Sequence, residues 1–187
     1  MTKNLEYDIH PATSADVRLV QAMAQICADG RIRAYGIKPG GPDYVLGVEK
    51  QLSEDGLEEL RYQVRQSVDN PEHSRVWLAE SRADRHLAGL CIVQAVTVDS
   101  DSHIYFDRIF VDRTDEGHGI ASAFIDRVID FADGRTIEGD VVAGNDRALG
   151  LYMRRGFKEA GRTEPVPGFE TELERIRIVR QGEGKAV

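Results

Sequence analysis

Apolar residues change spacing several times along the chain, and the changes divide it into elements. LEYDIHPAT (5–13) alternates and predicts a short strand. TSADVRLVQAMAQICADG (13–30) places apolar residues at helical spacing, with Gly30 as its stop. IRAYGIKPGGPDYVLGVEK (32–50) is punctuated by glycine and proline and predicts an irregular segment. In SEDGLEELRYQVRQSVDN (53–70), Ser53 fits an N-cap, and Leu57, Leu60, Val64 and Val68 supply a helical apolar stripe.

The second half begins with strand patterns. SRVWLAE (74–80), HLAGLCIVQAVTV (86–98) and HIYFDRIFV (103–111) predict an antiparallel meander whose first turn is the polar SRADR (81–85). GIASAFIDRVIDFADG (119–134) then brings Ile120, Phe124, Val128 and Phe131 on or near one helical face. TIEGDVVA (136–143) reads as a strand, DRALGLYMRRG (146–156) as a short helix, and FKEAGR (157–162) with TELERIRIV (171–179) as a closing antiparallel pair. This order predicts one α/β domain over residues 1–180, a mixed and mostly antiparallel sheet flanked by helices, followed by a frayed polar tail at 181–187.

Composition narrows the function classes. With 187 residues, 41% of them hydrophobic, the chain suffices for one domain with a substantial core. A net charge of -8, from 32 acidic residues against 24 Lys and Arg, argues against gripping nucleic acid through a general basic surface. It leaves room for a local basic pocket and mildly favours cationic small molecules. Cys27 and Cys91 lie apart in apolar surroundings with no C-x-x-C pair, and are read as buried thiols. His10, His73, His86 and His103 are scattered, so no metal site is expected. The first residues lack the apolar core of a signal peptide, and no run approaches the ~20 apolar residues of a membrane span; the expectation is a cytoplasmic protein without a membrane partner.

The chemistry centres on VDRTDEGHGIASAF (111–124), which leaves a strand and enters a helix through Gly117 and Gly119. Free N–H groups at a helix start, with glycines that let backbone approach a ligand, suit a phosphate, although a plain tight loop has the same pattern. Neither G-x-G-x-x-G nor G-x-x-x-x-G-K-[ST] occurs, which disfavours a dinucleotide or ATP site. Downstream, VVAGNDRALGLYMRRGF (141–157) carries Asn145 after an apolar strand, Tyr152 in the short helix and Gly156-Phe157 at its end.

The two stretches together resemble the GCN5-related N-acetyltransferase superfamily. Its cofactor motif is Gln or Arg, two residues, Gly, one residue, then Gly or Ala. Here that is Glu116-Gly117-His118-Gly119-Ile120-Ala121, with Glu116 in place of Gln or Arg. The resemblance implies the acyl-CoA N-acyltransferase fold and acetyl-CoA as cosubstrate, held by residues 116–121 and Asn145. It also implies that the backbone of Ile109, Phe110 and Val111 binds pantetheine and polarises the thioester carbonyl, and that Tyr152 is the general acid for the CoA sulfur. Two of these residues have structural alternatives: Asn145 can cap the helix beginning at Asp146, and Tyr152 can fill a helix-sheet seam. Arg113, or His118 if protonated, can balance the Glu116 charge.

Asp107 interrupts an apolar strand beside Arg108, so either an internal pair with Arg108 or exposure to a cleft is expected. It is the preferred base or substrate anchor, with Glu80, Glu138 and Asp140 in reserve, or water alone. Trp77 reads as core, and Tyr35 and Tyr44 as residues of the acceptor entrance or of surface packing. The resulting expectation is transfer of acetyl from acetyl-CoA to a primary amine of a small molecule, with polyamine-like acceptors among the candidates, or of a peptide, by direct attack in a ternary complex. The alternative is a catalytically silent CoA-binding domain. A homodimer through TELERIRIV as an edge strand is also open.

Overall fold

A computed structural model of the chain describes residues 6–98, 101–163 and 174–182. Its sheet has seven strands: β1 (Tyr7–Pro11), β2 (Ser74–Ser81), β3 (Leu87–Val98), β4 (Asp101–Val111), β5 (Ile137–Val142), β6 (Lys158–Thr163) and β7 (Arg175–Arg180). They lie in the order β1-β2-β3-β4-β5-β7-β6, and every neighbouring pair is antiparallel except β4 with β5. The meander and the mixed, mostly antiparallel sheet are as the sequence predicts. β7, however, runs between β5 and β6 and is not an edge, so the edge-strand route to a dimer is corrected. Residues 171–173 of that predicted strand and residues 183–187 of the predicted tail lie outside the described residues.

Strand alternation assigns the two faces. Val76, Leu78, Leu90 and Ile92 point to α1 (Val17–Tyr35) and α4 (Glu54–Asp69), where they meet Val20, Met23, Leu60 and Val64. Trp77, Ala79, Cys91 and Val93 point the other way, to Ile120, Phe124, Ile125 and Val128 of α5 (Ile120–Ala132). Trp77 is core, as expected, and both cysteines are buried free thiols. Ser53 accepts the Gly56 N–H and caps α4; Val68, expected in its apolar stripe, is exposed.

Two boundaries differ from the sequence reading. Helix α1 continues through Gly30 to Tyr35 and is closed by Gly36 in the left-handed conformation. Gly30 is a contact residue and not a stop: a Cβ there would lie 2.2 Å from the Phe110 ring, so its absence lets α1 press onto β4. The expected irregular segment is also helical. It comprises α2 (Pro42–Tyr44), a π-helical turn (Val45–Glu49) and α3 (Lys50–Leu52), and Val48 packs with Ala28 and Ile37 in a small core of its own. Proline at the first helical position fits this start, because the N–H it lacks has no partner there.

Candidate active site

The site begins where β4 and β5 part. Ile92 pairs with Arg108 and Val93 with Phe106, which leaves Asp107 as an extra residue in β4, a bulge that turns the strand. The parallel pairing of β4 with β5 ends at Phe106 and Gly139, while β5 continues beside β7 to Val142. Two adjoining cavities occupy the opening, of about 560 Å³ and 300 Å³. Ala34, Ile109, Phe110, Asn145, Ala148 and Tyr152 line both.

The larger cavity faces the glycine turn. Gly117 and Gly119 have φ of 85° and 88°, a region that side chains with a Cβ rarely adopt, and Gly119 is the N-cap of α5. The first intrahelical bond of α5 runs from Ala123 N to Gly119 O, so the N–H groups of Ile120, Ala121 and Ser122 precede the helical ladder. These residues, with Ile109, Phe110 and Val111 of β4, line the cavity.

Glu116 also lines this cavity, and its carboxylate is held between two guanidinium groups. Arg33 of α1 donates to one oxygen and Arg147 of α6 (Asp146–Met153) to the other. Arg33 additionally donates to Val111 O at 2.8 Å and Asp29 at 2.9 Å. The charge balance expected from Arg113 or His118 therefore comes from elsewhere. His118 is not in the cavity lining; its ring lies 5.8 Å from Tyr7, and its Nδ1 is 3.2 Å from Asp115 O. Below the turn, the buried Asp115 accepts from the Tyr7 hydroxyl at 2.7 Å and lies 2.9 Å from His86 Nε2, a network anchoring the loop to β1 and to the β2–β3 turn.

Asn145 caps α6, its Oδ1 accepting the Ala148 N–H at 3.2 Å, while still facing both cavities. Tyr152 is 8% exposed and stacks on Phe106 with ring centres 5.1 Å apart. Burial, with the neighbouring Cys91 thiol a lesser contribution, pushes its hydroxyl well above the ordinary phenol range. The seam-filling and cavity-facing descriptions of Tyr152 thus hold together: the ring is packed and the residue borders both cavities.

Asp107 lines the smaller cavity and is paired with Arg108 at 2.8 Å, the internal pair anticipated from the sequence. Gln63 also donates to it at 3.3 Å, and the buried Arg108 reaches Glu59 at 2.5 Å and Gln51 at 3.3 Å. Among the reserves, Asp140 is in the lining, whereas Glu80 and Glu138 are not. Tyr35 lines this cavity too; Tyr44 instead packs against the small core around Val48.

Sequence reasoning missed the basic residues of the site. Arg31 and Arg33 lie beyond the assumed helix stop at Gly30; Arg147 and Arg154 sit inside the recognised motif without being weighed, and Arg175 belongs to the strand assigned to the edge. The detectable signal for Arg33 was its helical spacing from Ile26 and Gly30.

The sequence of residues 46–157 matches the model of the acetyltransferase (GNAT) family. The chain belongs to that family. Among curated proteins, none matches the sequence significantly. Similar solved structures include NAA60 of Arabidopsis thaliana in complex with a bisubstrate analogue, at 22% identity over 92% of this chain and 96% of that one, TM-score 0.62. A spermidine N-acetyltransferase of Vibrio cholerae with CoA and spermine is 19% identical over 93% and 94%, TM-score 0.62. The PaiA N-acetyltransferase of Thermoplasma acidophilum with coenzyme A is 14% identical over 94% and 98%, TM-score 0.70. At these identities the likeness concerns the fold, which is the acyl-CoA N-acyltransferase architecture. GNAT-type acetyl transfer to amines is supported at the level of the family.

Proposed function

We propose that the protein transfers the acetyl group of acetyl-CoA to a primary amine by direct attack in a ternary complex. The observation carrying this reading is the position of Tyr152 on the wall common to two cavities, one bordered by the glycine turn and the other by Asp107. When bound, acetyl-CoA supplies the acyl group as an activated thioester.

The larger cavity suits such a group. The open start of α5 offers N–H donors at Ile120, Ala121 and Ser122, and Arg33, Arg147 and Arg154 bring positive charge to the same wall, so these residues would hold the phosphates. Past Phe106, β4 has no strand partner on its β5 side among the described residues, so Ile109–Val111 offer main-chain groups to the pantetheine arm.

Tyr152 retains its proton at neutral pH, since burial disfavours the phenolate, and would donate it to the departing sulfur. Asp107 is 31% exposed on its side chain and faces the smaller cavity, where it can accept the amine's proton or anchor the ammonium form. Gln63 and Arg108 hold the carboxylate in place for either task.

The test is calorimetric titration with acetyl-CoA and CoA, followed by an amine screen read as free CoA thiol. Saturable micromolar binding, weakened by Ala121→Glu, together with amine-dependent thiol release, is expected. Binding without release to any amine would establish the silent CoA-binding alternative, and absence of binding would overturn both readings.

A further inference from the structure

The acceptor-side cavity has cation to spare. Its charged lining residues are Arg31, Arg108 and Arg175 against Asp107 and Asp140. Both carboxylates are engaged. Asp107 receives Arg108 Nε at 2.8 Å and Gln63 Nε2 at 3.3 Å. Asp140, 8% exposed on its side chain, receives Arg177 Nε and the Tyr105 hydroxyl, each at 3.1 Å, and lies 3.6 Å from Arg175 Nη1. The guanidinium groups are less fully used. Arg31 has no ion-pair partner among the described residues, and Arg175, 30% exposed on its side chain, shares Asp140 with Arg177 and lies the farther of the two from it, at 3.6 Å against 3.1 Å.

These commitments decide between two kinds of amine. A second ammonium on the acceptor would find both cavity carboxylates already paired and would meet Arg31. A carboxylate would meet Arg31, which has no ion-pair partner among the described residues, and the planar guanidinium fork receives it through two parallel bonds. The overall charge of -8 points toward cations, but charge spread over the surface is screened beyond roughly 8–10 Å at physiological ionic strength. Inside the cavity, local pairing dominates.

We infer that the acceptor is a small amino acid-type molecule, in which Arg31 and Arg175 receive a carboxylate while the reactive amine lies toward Asp107 and Tyr152. The inference rests on the transfer reading above and names its acceptor class. It replaces the polyamine-like acceptor favoured by bulk charge. A cavity of about 300 Å³ lies at the small end of the range for small-molecule sites.

The experiment compares acceptors matched in chain length and different in one terminus: ω-amino acids from glycine to 5-aminopentanoate, the corresponding alkylamines and the corresponding diamines. The L-α-amino acids are run as a separate set. Transfer is read as kcat/KM with acetyl-CoA. Binding of the same compounds to the CoA-loaded protein is read by calorimetry.

At least one amino acid is expected to exceed its matched alkylamine and diamine by tenfold or more in kcat/KM, chiefly through KM. Arg31→Gln is expected to bring that ratio below about threefold, and Arg31→Lys to keep part of it. Carboxylate-dependent binding that is lost in Arg31→Gln supports the anion site even if no compound is acetylated; that outcome would overturn the transfer reading alone. Alkylamines or diamines equal to or better than every amino acid, or a preference and binding unchanged in both Arg31→Gln and Arg175→Gln, would overturn the inference while leaving acetyl transfer intact.

Discussion

Arg33, in the last turn of α1, donates to the Glu116 carboxylate at the head of the glycine turn, and Arg147 completes the clamp from the other side. Glu116 therefore carries a negative charge at this position without leaving that wall of the cavity negative. Glu116→Gln would release both arginines toward an anionic ligand. It is expected to bind CoA more tightly, by up to about tenfold or ~1.4 kcal/mol at low ionic strength, with the gain shrinking as salt rises. Arg33→Gln should act oppositely, weakening CoA and lowering stability by about 1–2 kcal/mol, because it loses bonds to Glu116, Asp29 and Val111 O. Calorimetry of both variants at two salt concentrations checks the pair. Weaker binding by Glu116→Gln would mean that Glu116 serves to position the arginines.

The turn itself makes a separate demand. Gly119 caps α5 at φ 88°, where a Cβ is disfavoured by about 1–2 kcal/mol. Gly119→Ala is expected to cost about that much in urea denaturation and to weaken CoA binding, since relief of the strain would re-aim the first N–H groups of α5. Unchanged stability and affinity would show that the turn tolerates another conformation.

Sequence made the strands and the residues that line the shared cavity wall legible for the same reason: both depend on local spacing. Alternation in β2 and β3 encodes which residues face α1 and which face α5, and Asn145, Tyr152 and the two glycines sit on single short segments. What escaped depends on contacts between distant segments. Gly30 looks like a helix stop until Phe110 is packed against it, and only the continuation of α1 brings Arg31 and Arg33 to the cavities. β7 carries no local sign that it will enter between β5 and β6. Glu116 reads as an unfavourable charge when its neighbours are counted along the chain, because Arg33 and Arg147 arrive from two different helices.

The network beneath the turn predicts a pH dependence of stability. Hydrogen bonds to Asp115 and then Asp84 raise the pKa of His86. Burial opposes the charge of Asp115, but the Tyr7 and His86 bonds hold its carboxyl below the ordinary range. The stabilisation from His86 is fully present below its unfolded pKa of about 6.5 and is lost as pH rises through the higher folded value. That from Asp115 is present above about pH 4 and is lost as pH falls through its lower folded value. His86 is 42% exposed on its side chain, so solvent screening keeps its effect small. Between pH 6 and 8.5 the melting temperature of the wild type is expected to fall relative to that of His86→Gln, with the difference narrowing at the alkaline end. Parallel curves would remove His86 as the source.

Tyr152 separates chemistry from packing most cleanly. Phe at this position keeps a ring between Phe106 and Phe157, whose centres lie 5.1 and 5.6 Å away, and loses only the hydroxyl. If the hydroxyl protonates the departing sulfur, its contribution appears in the transition state and not in cofactor binding. Tyr152→Phe should therefore lower kcat by about 10²–10⁴-fold, the range for a positioned general acid, while the Kd for CoA changes less than about threefold. The same logic fixes the pH behaviour. Burial raises the hydroxyl pKa above the ordinary phenol range, so the acid stays protonated across neutral and mildly alkaline pH and should impose no alkaline fall in kcat below the normal tyrosine pKa of about 10. A Tyr152→Phe variant with near wild-type kcat would reduce the residue to a packed aromatic; a loss confined to CoA affinity would make it a binding residue. Only a selective fall in kcat assigns it the proton.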